Sequence, residues 1–249
     1  MKVFNGITKI LIFPAYYLIH KNIVFGLFHK FFVKNFYYKN FSFNLNVKNI
    51  PLSSRSSFIF KTYEYNDRKL VEKHINHKNK CIIIGGGLGF IPTIAFHKSK
   101  NKILVFEINK IIIRNLRKNL VKNNCKFKLF NNNLVLQKKN KTSNYFISKN
   151  FLATSQYLKD GELSRIDNIY SKKILNFEKF NTLIIDGEGV EEYYLNNLNK
   201  INHIEYIIFE LHNHLFNIKK INSLFQQLRK NKFILIDKCF NSYFFKKED

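Results

Sequence analysis

Residues 81–89 read Cys-Ile-Ile-Ile-Gly-Gly-Gly-Leu-Gly, and this stretch decides the fold of the chain. The four apolar residues Cys81–Ile84 predict a strand that is buried on both faces of a sheet. The glycines after it allow a sharp turn and a close approach to a ligand, and a helix starting near Phe90 would direct its first amides there. A tight strand–helix turn without any ligand is the alternative interpretation.

A carboxylate follows this loop at an informative distance. The next apolar run, Lys102–Phe106, predicts a strand and ends in Glu107, about 20 residues after the loop, where an acid can bind both ribose hydroxyls of an adenosine. Stabilisation of a helix N-terminus is the alternative role for this acid. A dinucleotide-binding loop would have a third glycine at Phe90, so the sequence favours S-adenosylmethionine over a nicotinamide cofactor. The predicted cofactor-binding residues are Gly85, Gly86, Gly87, Gly89 and Glu107.

Outward from this loop, short apolar runs alternate with segments of helical length. The predicted strands are Cys81–Ile84, Ile103–Phe106, Lys126–Phe130, Thr182–Ile185 and Ile204–Leu211, and the predicted helices are Phe90–His97, Lys110–Asn123, Glu191–Leu198 and Ile218–Lys230. This alternation predicts a parallel sheet covered by helices on both faces. Two further strands, Phe233–Asp237 and Tyr243–Phe245, are joined by a short connection and predict an antiparallel hairpin. The expected fold is α/β, the Rossmann-like class I methyltransferase fold with a mostly parallel seven-stranded sheet.

The pattern predicts two regions besides the regular core of the methyltransferase domain at 51–249. Residues 1–50 mix aromatic residues with Lys and His, which predicts a helical extension that either packs on the domain or rests on anionic lipid. Residues 131–181 are less regular. Alternation at Tyr145-Phe146-Ile147 and an apolar run at Ile166–Tyr170 predict β-structure inserted between the third and fourth core strands.

A second group of polar residues follows the predicted strand Thr182–Ile185. Residues 186–191 read Asp-Gly-Glu-Gly-Val-Glu, and the next strand ends in Glu210, His212 and His214. Carboxyl ends of neighbouring parallel strands form the crevice in which such sheets bind ligands. The predicted catalytic residues are His212 or Asp186 as the proton acceptor and Glu188, which would orient the substrate. The alternatives are a buried histidine satisfied by the backbone, a turn and helix-capping role for the acids, and metal binding by His212, His214, Glu210 and Asp186; no metal is assigned.

These blocks together resemble the FkbM family of methyltransferases. Residues 183–191, Leu-Ile-Ile-Asp-Gly-Glu-Gly-Val-Glu, are similar to the family's D-V-E-G-x-E signature, and Glu210 with His212 matches the E-x-H strand end that follows it. The glycine loop and Glu107 match the upstream blocks, and Asn119 and Asn123 match an N-x-x-x-N helix. The resemblance covers roughly residues 78–240.

The resemblance implies an S-adenosylmethionine-dependent O-methyltransferase. Its acceptor would be a hydroxyl of a sugar, for example in a surface polysaccharide, or of a related small metabolite. The chain departs from the family at two positions. Ile83 replaces the usual acid two residues before the first loop glycine, where that acid helps to hold the methionine amino group. Asn131, Asn132 and Asn133 stand where an acid near the adenine is common. These departures leave a non-catalytic binding protein on the same fold as an alternative.

The formal net charge of +25 carries little information about partners. The chain is rich in Lys, Asn, Ile, Phe and Tyr and has no Trp, which is the composition that an AT-rich genome produces. An RNA methyltransferase is the weaker alternative, because three acids at the expected cleft would repel phosphate. No run is apolar for long enough to predict a spanning helix, so we expect a cytoplasmic protein, with the inner membrane face as a peripheral alternative.

Overall fold

The computed structural model describes residues 23–46, 50–137, 140–147 and 161–248. Predictions that concern residues 1–22, and the part of the insert at 148–160, lie outside these ranges. In chain order, the helices and strands are α1 (Ile23–Phe32), β1 (Asn35–Tyr38), β2 (Phe41–Asn44), α2 (Leu52–Ile59), α3 (Tyr65–His74), β3 (Cys81–Ile84), α4 (Phe90–Ser99), β4 (Ile103–Phe106), α5 (Ile113–Lys122), β5 (Phe127–Phe130), β6 (Asn133–Val135), β7 (Thr142–Ile147), β8 (Glu162–Tyr170), β9 (Thr182–Ile185), α6 (Glu191–Leu195), β10 (Tyr206–Glu210), α7 (Ile218–Lys230), β11 (Phe233–Cys239) and β12 (Ser242–Lys247).

The central sheet has seven strands in the order β11-β12-β10-β9-β3-β4-β5. The five strands from β10 to β5 are parallel, and β12 runs antiparallel between β10 and β11. The strand order reverses beside β3, so the crevice for a ligand is expected at the carboxyl ends of β3, β4 and β9. The predicted fold class, a mostly parallel seven-stranded sheet that ends in an antiparallel hairpin, is confirmed.

Two hydrophobic layers hold the sheet between helices. Side chains alternate along each strand, so Cys81 and Ile83 of β3 face one layer whereas Ile82 and Ile84 face the other. The first layer is completed by α3, α4 and α5, and the second by α6 and α7. This double cover explains why β3, β4 and β9 are apolar at every position.

The segment before the sheet is anchored to the core by a hairpin. Strands β1 and β2 pair antiparallel, and Phe36 and Phe43 both lie against the ring of Phe90, at the start of α4. A helix followed by extended chain was predicted here; the described part has α1 and then two strands. The domain boundary at residue 50 stays a prediction.

Among the described residues, no helix combines the length and the apolar character needed to cross a bilayer.

Asparagine side chains fasten this hairpin to α5. Asn119 accepts a hydrogen bond from the amide of Asn44 at 2.7 Å and donates to the carbonyl of Leu88 in the glycine loop at 2.8 Å. Asn123 accepts from the amide of Ser42 and donates to its carbonyl, both at 3.0 Å. The two side chains therefore act as backbone partners for β2, and Asn119 also ties that strand to the loop.

Several element ends differ from the prediction. Helix α5 begins at Ile113 rather than Lys110, since the side chain of Asn109 accepts the amide of Ile111 and closes a turn there. Helix α6 ends at Leu195 and a 3-10 turn follows at Leu198–Lys200. Strand β10 is shorter than predicted. In the predicted insert, β8 pairs parallel with β6 and antiparallel with β7.

Candidate functional site

A cleft opens above the carboxyl ends of β3, β4 and β9. The space between its walls is about 760 Å³, including the part that is open solvent. The residues that line it include members of both predicted groups, namely Gly85, Gly87 and Glu107 from the first and Asp186, Glu188 and His212 from the second. Side chains from the insert, Asn133 and Tyr145, close one wall. The fold therefore brings together polar residues that are more than 100 positions apart in the chain.

The glycine loop has a backbone that other residues would not adopt without strain. Gly85 has φ +86°, and a Cβ added there would lie 1.8 Å from the carbonyl oxygen of Asp186. Gly87 has φ +51° and faces Glu64 and Tyr63 across the cleft. The close contact with Asp186 means that Gly85 joins the ends of β3 and β9 as well as turning the chain. Gly86 and Gly89 pack against Leu116 of α5 instead.

The backbone of the glycine loop holds the side chain of Glu107, the acid that was predicted to bind the cofactor together with this loop. Its carboxylate accepts the amide of Gly87 at 3.0 Å and the amide of Asn109 at 2.8 Å. The side chain is buried, and this burial raises the pKa of Glu107 even though its backbone hydrogen bonds act in the opposite direction. The acid thus lies at the end of β4 and beside the loop.

The acids after β9 meet the histidines after β10. His212 lies with Nδ1 3.1 Å from Oε1 of Glu191, which also accepts the amide of His212, and with Nε2 3.8 Å from Oε1 of Glu188. His214 is half exposed and its Nε2 lies 3.4 Å from the other oxygen of Glu188. Glu191 stands in the first turn of α6 and is fully buried. The prediction that these neighbouring strand ends approach each other is therefore correct.

Burial and crowding of like charges alter the ionisation of this group. Burial, followed by the charges of Asp67, Glu210, Glu64 and Glu188, raises the pKa of Asp186 well above its usual value. Burial disfavours the charged form of His212. The hydrogen bond to Glu191 and the nearby carboxylates outweigh this effect and raise the pKa of His212 to about 9. Ionisation of Asp186 is therefore disfavoured and protonation of His212 is favoured, so the two groups share protons that isolated side chains would not hold at the same pH.

Two acids of this cluster were not predicted from the sequence. Glu64, which precedes α3, lines the cleft, and burial raises its pKa to about 7. Asp67, in the first turn of α3, is 2% exposed. The sequence did contain a signal, because Asp67 shares the helix face of Leu70 and Val71 at spacings of three and four residues. An acid on the buried stripe of a helix requires a polar neighbour or a ligand.

Three potential metal ligands meet at the edge of the cleft. One ligand atom each of Asp186, Glu210 and His212 lies within 4.8 Å of the others. Glu210 is held by Asn241, whose amide nitrogen donates to Oε1 at 2.6 Å, and His212 is held by Glu191 as described above.

The two departures from the FkbM pattern have clear positions in the structure. Ile83 is fully buried in β3, inside the first hydrophobic layer. The carboxylate of Glu64 instead faces the loop from the opposite wall, close to Gly87. Asn131 donates to the carbonyl of Glu107 at 2.7 Å, and Asn133 accepts the hydroxyl of Tyr145 at 2.8 Å. These asparagines therefore brace the wall of the cleft below Glu107.

Comparison of the sequence with protein-family models and with curated proteins finds no match. Solved structures of similar shape include a methyltransferase from Pyrococcus furiosus, with 12% identity, a TM-score of 0.46 and coverage of 92% of this chain and 97% of that chain. A ribosomal protein L11 methylase from Lactobacillus delbrueckii subsp. bulgaricus has 12% identity and a TM-score of 0.45 over 73% and 77% of the two chains. TYW2 from M. jannaschii, in complex with AdoMet, has 12% identity and a TM-score of 0.40 over 73% and 75%.

Proposed function

We propose that this protein is an S-adenosylmethionine-dependent methyltransferase of FkbM type that methylates a hydroxyl of a sugar or a related small metabolite. The observation that carries this proposal is the glycine loop with Glu107 hydrogen-bonded to it at the switch point of the sheet. Gly85 and Gly87, both with positive φ, line the cleft and place no side chain in it. An adenosine would lie over this loop, with its ribose hydroxyls on Glu107.

The charge of the cleft favours a cationic cofactor. S-adenosylmethionine carries positive charge on its sulfonium and on its ammonium group, and carboxylates of Glu64, Asp186 and Glu188 line the same cleft as Glu107. Buried carboxylates without cations are costly, so a cationic ligand relieves repulsion that the free protein bears. A pyrophosphate-containing dinucleotide would add negative charge beside these acids, and the same repulsion disfavours an RNA acceptor.

Methyl transfer requires an acceptor oxygen aligned behind the sulfonium methyl group. The new O–C bond forms as the S–C bond breaks, the electron pair of that bond stays on sulfur, and the hydroxyl proton leaves. Asp186 or His212 would accept this proton, with Glu188 orienting the acceptor, because all three side chains line the cleft. Since the pKa of His212 is raised to about 9, His212 would serve as acceptor through its deprotonated fraction, which increases as the pH rises towards 9. The products are the methyl ether and S-adenosylhomocysteine.

Calorimetric titration with S-adenosylmethionine and with S-adenosylhomocysteine tests the cofactor assignment. We expect saturable binding of both ligands and a large loss of affinity in Glu107→Ala. Glu162→Ala is the matched control, since Glu162 is exposed on β8. A folded protein that binds neither ligand would contradict the proposal and favour the non-catalytic alternative. Transfer that survives in His212→Gln would remove His212 as the proton acceptor.

A further inference from the structure

The geometry points to a divalent metal site formed by Asp186, Glu210 and His212 at the acceptor end of the cleft. The use of this metal in acceptor binding rests on the proposed methyl transfer, whereas the metal site itself does not. Its donor set is two carboxylates and one imidazole, with ligand atoms within 4.8 Å of one another. Carboxylate and imidazole together are ligands for Mn²⁺ and Zn²⁺.

The residues behind the ligands have the arrangement that orients metal ligands. A metal-binding histidine commonly donates its second ring N–H to a carboxylate, which fixes the ring and the tautomer. His212 has this partner in Glu191, which is fully buried and lies 3.1 Å from Nδ1. Nε2 is thereby left to face the cleft side of the cluster. Glu210 is likewise held by Asn241 at 2.6 Å.

A buried acid beside the three ligands gives independent support. Asp67 is 2% exposed, and within the described part of the chain its Oδ1 has no hydrogen-bond partner. The carboxyl groups of Glu210 and Asp186 lie near enough to repel it, and the hydroxyl of Ser242 is a polar neighbour. An unpartnered oxygen at this depth costs free energy unless a positive charge lies nearby. A divalent cation between the three ligands supplies that charge.

Lysine and arginine do not neutralise this cluster. In the ranges that the structure describes, neither residue type forms an ion pair with Asp67, Asp186, Glu191 or Glu210, although the chain has 42 Lys and Arg against 17 Asp and Glu. Glu191 is paired instead with the imidazole of His212. Exclusion of the abundant cationic side chains from one acidic pocket favours a ligand that brings its own positive charge.

The metal would give the acceptor a defined place. Three protein ligands leave coordination positions open, as in catalytic metal sites, and oxygen atoms of the acceptor fill them. A cation held there would lower the pKa of the acceptor hydroxyl. With Asp186 and His212 as ligands, Glu188 would replace them as proton acceptor, and its Oε1 lies 3.8 Å from Nε2 of His212. The acceptor class that suits this site is a polyol with adjacent hydroxyl groups.

Metal binding by the metal-free full-length protein is the test, with Mn²⁺ followed by electron paramagnetic resonance and Zn²⁺ and Mg²⁺ by calorimetry. We expect one equivalent of Mn²⁺ or Zn²⁺ to bind reversibly in the absence of any cofactor. Asp186→Asn and His212→Gln should abolish this binding, and Glu191→Gln should weaken it about 10- to 100-fold. His77→Gln, which removes an exposed imidazole before the amino end of β3, at the opposite end of that strand from the cleft, should leave it unchanged.

The outcomes separate this inference from the proposed function. Absence of saturable metal binding overturns the metal site, even where S-adenosylmethionine binds. Metal binding that Asp186→Asn and His212→Gln leave intact also overturns it. Metal binding without cofactor binding would retain the site and reject the methyltransferase proposal. Where Asp186→Asn fails to fold, Glu210→Gln tests the same ligand set, with folding checked by circular dichroism.

Discussion

Replacement of Glu64 by glutamine should stabilise the protein, and the gain should depend on pH. Burial, the largest effect, raises the pKa of Glu64 from 4.5 to about 7, while the neighbouring hydroxyl of Tyr63 and amide of Ile91 limit the rise. Glutamine retains the shape and an acceptor oxygen but carries no charge. The variant therefore removes the cost of burying a carboxylate and keeps the local contacts.

The magnitude follows from the two pKa values. A folded-state pKa above the unfolded one means that the folded protein binds the proton more tightly, so this contribution to stability is present below pH 4.5 and is lost as pH rises through 7. Moving a pKa from 4.5 to about 7 corresponds to about 3 kcal/mol. We expect Glu64→Gln to raise the free energy of unfolding by about 3 kcal/mol at pH 8 but by less than about 1 kcal/mol at pH 5.

Urea denaturation at both pH values, without cofactor or metal, measures this difference. The control is Glu162→Gln, which neutralises an exposed glutamate and should give the same small change at pH 5 and pH 8. A gain for Glu64→Gln that is equal at the two pH values would refute the reasoning. A loss of stability at pH 8 would show that the ionised carboxylate has a partner in the folded protein.

Three further variants test the framework of the cleft. Gly85→Ala should destabilise the fold by more than about 2 kcal/mol and abolish cofactor binding, because its Cβ would lie 1.8 Å from the carbonyl of Asp186; an unchanged melting temperature would contradict this. Asn119→Ala, which loses its bonds to Asn44 and Leu88, should cost about 2–4 kcal/mol in urea unfolding, whereas Lys122→Ala on the same helix should cost almost nothing. Phe43→Ala should cost about 3–5 kcal/mol, and an equal effect of Phe31→Ala, 71% exposed, would show that packing on Phe90 is unimportant.

The strands that surround the cleft could be predicted from the sequence almost to the residue. Cys81–Ile84, Ile103–Phe106 and Thr182–Ile185 are short apolar runs followed by glycine or acid, and the structure gives them the predicted bounds. A strand buried on both faces leaves little freedom in its composition, which makes it easy to recognise. The meeting of the acids after β9 with the histidines after β10 follows from the order of parallel strands.

The contribution of α3 and of the β1–β2 hairpin to the site could not be predicted in the same way. Asp67 and Glu64 reach the cleft because α3 packs against β10 and the C-terminal hairpin, and this contact has no local signature. The asparagines of α5 replace strand partners for β2, although a polar stripe on a helix ordinarily indicates a solvent-facing side. Tertiary contacts of this kind override the local pattern.

Among the described residues, the buried acids of this chain, Asp67, Glu107 and Glu191, lie around one cleft. Glu64 has φ +47°, which a non-glycine residue adopts at a cost, and it places a carboxylate beside Asp186, whose pKa is raised by burial and by neighbouring acids. An apolar residue at Glu64 or Asp67 would give a more stable free protein. Retention of this repulsion is reasonable where a cationic ligand offsets it, since binding energy is then gained from strain already present in the protein. Both the sulfonium cofactor and a divalent metal satisfy this requirement. Addition of either ligand should therefore reduce the stability advantage of Glu64→Gln over the original chain.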